Sequence, residues 1–162
     1  MHSLLVPLQN YLDKHKIEHF SAEKLTWVNS LHRRCIPPEK LFPNVLPALF
    51  FLERLRIQYG PIEVVSGYRD KQANVQVKGS RRSKHMEFRA IDFCPVNKKL
   101  LRDCKDYVLS YWRSQLVMSQ ADLNYMVRHG ILPIGGKMGI GAYLWGMHVD
   151  FRYRYRKWGE AW

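Results

Sequence analysis

Apolar residues recur along this chain with two periods, and the switches between them mark out its elements. Between residues 4 and 14, Leu5, Leu8 and Leu12 share one helical face with polar residues between them, which predicts a short amphipathic helix. Ser21 before Ala22-Glu23-Lys24-Leu25 has the form of an N-cap and first turn, because a serine side chain there can accept from a free backbone N–H. Ile36-Pro37-Pro38 interrupts the chain. A stronger helix is predicted over residues 44–59, with Val45, Leu49, Leu52 and Ile57 on or near one face and Gly60-Pro61 ending it.

The period then shortens. Residues 62–66, Ile-Glu-Val-Val-Ser, are rich in β-branched side chains and predict a strand that ends at Gly67. A glycine, serine and basic loop covers 78–82. Residues 90–93 predict a second strand, stopped by Pro95. Helical spacing returns over 97–115, with Leu100, Leu101, Cys104, Val108 and Tyr111 on one face, and again over 119–129, closed by Gly130. From 139 to 155 aromatic and basic residues alternate, which predicts two strands around Trp145-Gly146. This order describes an α+β fold with a small antiparallel sheet, not alternating βαβ units. Gly135, Gly136, Gly139 and Gly141 are spaced for turns and strand entry, and no Gly-x-Gly-x-x-Gly or phosphate loop exists.

A length of 162 residues suits one domain, with a core over about 20–158 and residues 1–19 as an N-terminal helical extension. No segment is repetitive or of low complexity, and no run of eighteen apolar residues could span a membrane. The start, Met1 to Pro7, lacks the charged and long apolar regions of a secretory signal, so synthesis in the cytoplasm is expected. Cys35, Cys94 and Cys104 are odd in number and form no Cys-x-x-Cys pair, which reads as free thiols. The formal charge of +12 changes the picture more. It implies a polyanionic partner, either nucleic acid or a cell-wall polymer bearing carboxylates and phosphates.

Four residues suggest specific chemistry. Ser83-Lys84-His85 closes the basic loop, and Asp92 follows seven residues later inside Ala90-Ile91-Asp92-Phe93. A carboxylate among core residues needs a cation or strong donors, since burying it unpaired costs several kcal/mol. In Met147-His148-Val149-Asp150-Phe151, strand alternation puts His148 and Asp150 on one face. Taken singly, each is ordinary: a lone strand histidine commonly belongs to the core or the surface, and a lone aspartate commonly caps a turn.

Together the motifs resemble the zinc D-alanyl-D-alanine carboxypeptidase family, which cuts peptidoglycan cross-bridges or stem peptides and includes endolysins. The resemblance runs from about Phe20 to Trp158. It rests on Ser66-Gly67-Tyr68-Arg69, Asn74, Gly79, Ser83-x-His85, Asp92, the Gly-Ile-Gly-x-Tyr ending at Tyr143, and His148-Val149-Asp150-x-Arg152. It implies a hedgehog-like fold, Zn2+ as cofactor and His85, Asp92 and His148 as its ligands. It implies Asp150 as general base, Arg69 as a catalytic residue for a substrate carboxylate or oxyanion, and Tyr68 and Ser83 as substrate-binding residues. It also implies peptidoglycan peptides as substrate and the cell wall or periplasm as site of action.

The chain departs from the family twice. Phe88 stands where a glycine is usual between the first histidine and the aspartate. Trp145 and Gly146 stand where many members carry a general base before the last ligand. Glu87 is a second candidate base, and Asp150 is equally suited to orienting His148. The tail from Arg152 to Trp158 puts Arg152, Arg154 and Arg156 on one face and Tyr153 and Tyr155 on the other, if it is one strand. Two other classes stay open: a non-enzymatic nucleic-acid-binding domain, favoured by charge and tail, and a family member that keeps zinc without activity.

Overall fold

The computed structural model of the chain describes residues 3–114, 121, 124, 125, 128, 137–152 and 154–159. The first helix, α1 (Val6–Lys14), follows a single 3-10 turn. Leu5, Leu8 and Leu12 are buried in the main apolar cluster of the molecule. Helix α2 (Ala22–Thr26) starts where the sequence places it, with Ser21 Oγ accepting from the Lys24 N–H at 3.4 Å.

The central helix is α3 (Leu46–Tyr59), and Gly60 ends it at φ +74°, a conformation that costs glycine little. Leu-Pro-Ala-Leu-Phe-Phe-Leu is apolar all round, and Leu46, Ala48, Leu49, Phe51, Leu52 and Leu55 are all buried. Ile57 departs from the expected face and is 85% exposed. It lies five residues beyond Leu52, a rotation of about 140° at 3.6 residues per turn. Helix α4 (Lys71–Gln76) has no apolar period to announce it. It is nucleated by Asp70, whose side chain accepts from the Ala73 N–H at 2.7 Å. Helix α5 (Leu101–Arg113) buries Cys104 and Val108, as its spacing requires. The helix expected over 119–129 falls outside the described residues apart from isolated positions.

Among the described residues, seven strands form one sheet in the order β2-β1-β3-β4-β6-β5-β7. They are β1 (Trp27–Val28), β2 (Arg33–Arg34), β3 (Ile62–Ser66), β4 (Ala90–Pro95), β5 (Lys137–Ala142), β6 (Met147–Arg152) and β7 (Arg156–Trp158). All neighbours are antiparallel except β5 and β7, so the architecture is α+β. β4 continues through Cys94 to Pro95, which closes the strand opposite Ile62. The two-residue strands β1 and β2 are too short to give a period. The tail is not one alternating strand either: β6 ends at Arg152, the chain bends, and β7 runs parallel to β5.

Strand alternation splits the centre of this sheet into two faces. Ile91, Phe93, Met147, Val149 and Phe151 turn one way, into the cluster that contains α3 and α5 residues. Each such side chain contributes about 1.5–3 kcal/mol by leaving water. Asp92, His148 and Asp150 turn the other way. Among the described residues no helix is long and apolar enough to cross a membrane. Cys35, Cys94 and Cys104 are free and buried.

Candidate metal centre

Register decides which polar side chains meet. Asp92 pairs directly with His148 across β4 and β6, and Ala90 pairs with Asp150. His85 arrives from a short 3-10 turn, Lys84–Glu87, just before β4. That turn closes at Phe88 with φ +53°, in the left-handed region where a bulky side chain is strained. The residue is completely buried and packs edge-on against Tyr68, ring centroids 5.9 Å apart. Packing thus holds a conformation that a glycine would take freely. Asn74, also buried, shapes the preceding loop by donating from Nδ2 to the Ser80 carbonyl at 3.0 Å. Gly79 leaves space for that amide, since a Cβ there would lie 2.2 Å from Asn74 Oδ1.

The three expected ligands converge. One donor atom each from His85, Asp92 and His148 lies within 4.8 Å of the others. His85 Nε2 is 3.2 Å from both His148 Nδ1 and Asp92 Oδ2, and His148 Nδ1 is 2.6 Å from Asp92 Oδ1. The outer nitrogens fix the tautomers. His85 Nδ1 faces the Gly67 carbonyl at 2.7 Å, which can only accept, so Nδ1 carries the proton. His148 Nε2 donates to Asp150 Oδ2 at 3.0 Å. Both inner nitrogens then turn towards one point, where a cation satisfies them and the carboxylate together. Two imidazoles, each held by a partner behind it, and one carboxylate form a donor set that fits a divalent metal.

Charges follow from this packing. Burial disfavours ionised Asp92, yet the charge of His85 and hydrogen bonds and charge from His148 outweigh it and hold the carboxyl well below its usual range. Burial also opposes protonation of His148, but its bonds to Asp150 and Asp92 raise it to about 9. Burial lowers His85, against the opposing charge and hydrogen bond of Asp92. Without metal, the proton on His148 therefore occupies the role a cation would take.

The remaining expected residues separate. Arg69 lines the same cleft with its NH2 group 3.5 Å from Asp92 Oδ2, and its buried Nε has no hydrogen-bond partner among the described residues. Ser83 lines the cleft and precedes the His85 turn without capping it through its side chain. Tyr68 is not among the cleft-lining residues; it packs into the core clusters and against Phe88. Asp150 has both oxygens engaged: Oδ1 accepts from Arg152 Nε at 2.5 Å, and Oδ2 accepts from His148 Nε2 and also from Arg152 NH2. Glu87 pairs with Lys84 at 2.6 Å and Arg89 at 3.1 Å, away from the cleft lining.

Several contributors escaped the sequence reading. Arg152 clamps Asp150, and strand alternation already put it on the same face. Gly139 and Gly141 lie opposite Asp150 and His148 on β5. A Cβ at Gly139 would meet the Asp150 carboxylate at 2.8 Å, and one at Gly141 would meet the Trp158 indole at 2.6 Å. These glycines are therefore clearance for the site. Tyr143, Trp145 and Trp158 complete the cleft wall, and the Trp158 ring lies 4.9 Å from that of His148. Lys105 on α5 anchors this wall by donating to the Tyr143 carbonyl at 2.6 Å.

Residues 18–112 match the family model described as Peptidase M15, which is more than half of the chain. The matched stretch contains His85 and Asp92. His148 lies beyond it and joins them through the β4–β6 register. No curated protein and no solved structure matches the chain.

Proposed function

Because the chain belongs to the Peptidase M15 family, whose members are metal-dependent peptidases, we propose that it is a zinc enzyme hydrolysing peptide bonds of peptidoglycan, in stem peptides or cross-bridges. One observation carries the reading: His85, Asp92 and His148 present three donor atoms to one point, and both imidazoles are locked from behind. Zinc bound there would supply Lewis acidity, polarising a carbonyl and lowering the pKa of water towards ~7. The overall reading goes with a carboxypeptidase-like fold of the hedgehog type.

Each residue then has a task. Asp150 is a positioning residue: it holds the proton of His148 on Nε2 and keeps Nδ1 free to coordinate. Arg152 fixes Asp150 in turn. Arg69 offers a guanidinium beside the metal ligands, suited to a substrate carboxylate or a developing oxyanion. Ser83 is placed to hydrogen-bond a substrate backbone from the rim. Tyr68 supports the site through Phe88. The substrate end of the scheme, and action at the cell wall, come from the family resemblance and the positive charge.

One observation favours a second reading. Among the described residues, Asp92 is the only carboxylate lining the cleft, and both oxygens of Asp150 are engaged. A chain that binds zinc but no longer hydrolyses would look like this. Purified zinc-loaded protein incubated with muropeptides separates the two by mass spectrometry. Shortened peptides from the wild type, absent with His85→Ala, are the expected result. One zinc per chain with every muropeptide intact would replace the hydrolase by a zinc-binding module.

A further inference from the structure

The cleft over the metal ligands has a volume of about 840 Å3, and seven of the seventeen residues lining it are lysine or arginine. The whole chain carries 26 such residues among 162. Positive charge is therefore concentrated here and not spread evenly. Among the described residues the only carboxylate in the lining is Asp92.

Three of the seven cations are committed. Arg69 faces Asp92, Arg152 is bound to Asp150, and Lys84 is bound to Glu87. Lys78, Arg82, Arg154 and Arg156 form no ion pair among the described residues, and all four are exposed. They come from two places. Lys78 and Arg82 sit in the loop that follows α4 and delivers His85. Arg154 and Arg156 sit after β6, where β7 forms the far edge of the sheet. Neither group is needed to hold the ligands. Like charges gathered at one cleft repel one another, so a structural role gives no reason for the arrangement.

We propose that this cleft selects peptides bearing several free carboxylates around the scissile bond, beyond any single one bound by Arg69, and rejects the same peptides when those carboxylates are amidated. The proposal rests on the peptidase reading and names the chemical class of its substrate. Guanidinium and ammonium groups bind carboxylates by charge-assisted hydrogen bonds, which a neutral amide cannot match. Exposed cations act mostly on capture and are screened by salt, with a Debye length of about 8 Å at 0.15 M. Discrimination should therefore be strongest at low ionic strength.

The test uses two synthetic stem-type peptides that differ only in free or amidated side carboxylates. Cleavage by the zinc-loaded protein is followed by mass spectrometry and binding by calorimetry, at low and at high salt. The free-acid peptide should bind on the order of tenfold tighter at low salt. That preference should shrink on adding salt, and in Arg154→Gln/Arg156→Gln and in Lys78→Gln/Arg82→Gln, with circular dichroism unchanged. Equal binding of the two peptides overturns the proposal. So does duplex DNA that displaces the free-acid peptide at matched charge, which would assign the cleft to nucleic acid. If neither peptide is cut, the peptidase reading fails, and the binding preference still decides the charge selection.

Discussion

The two faces of β4 and β6 are built from opposite chemistry, one sealed in the core and the other lining the cleft. On one face Phe93 and Val149 are fully enclosed among apolar side chains. On the other, Asp150 is equally enclosed and His148 is 6% exposed. The apolar face stabilises simply by leaving water. The polar face costs desolvation at every group, and that cost is offset only while each donor and acceptor keeps its partner. The comparison teaches that substitutions on the first face should change stability, and those on the second should change metal chemistry.

The largest stability loss is expected from Phe93→Ala, which leaves a cavity in a core unable to close around it. Denaturant unfolding should show a cost of about 3–5 kcal/mol, while the protein that stays folded binds metal as tightly as before. A matching loss of metal affinity would break the separation of the faces. Next comes Asp150→Asn, which keeps the shape and removes the charge behind His148. Metal affinity should fall by about 10–100-fold, read by competition with a chelator. An unchanged affinity would make Asp150 irrelevant to the ligands.

Acidity gives a smaller and reversible handle. His148 is raised to about 9 in the metal-free protein, above its ordinary value of 6.5. Its contribution to metal-free stability is thus complete below pH 6.5 and is lost as pH climbs through 9. Metal must displace this proton, so affinity should rise by about tenfold per pH unit between 7 and 9, with one proton released per ion. Calorimetry in buffers of different ionisation enthalpy measures that release. The smallest effect belongs to Ile57→Ala, a change within about 0.5 kcal/mol, because this isoleucine is in solvent although the sequence reading put it on or near the apolar helical face.

Much of this was legible before any coordinates. Period and caps set α1, α2, α3, α5 and the long strands, because each buries a continuous face or ends on a residue with special backbone chemistry. Asp92 stood out as a carboxylate inside an apolar run, and it was the combined motif resemblance that joined His85 and His148 to it as ligands. What escaped was non-local or short. Two-residue β1 and β2 carry no period, and α4 depends on one cap. The return of β7 beside β5 follows from a bend after Arg152 that alternation alone hides. The restraint on Asp150 was only half legible: alternation puts Arg152 on its face, but not the closure of that guanidinium on both carboxylate oxygens.

The central claim is that one divalent ion binds at His85, Asp92 and His148, and zinc content measured after equilibration with excess zinc and removal of the unbound ion tests it directly. The account expects one zinc per wild-type chain and close to none in His85→Ala and in Asp92→Ala, each still folded by circular dichroism. A wild type that retains no zinc, or variants that retain as much as the wild type, would contradict it.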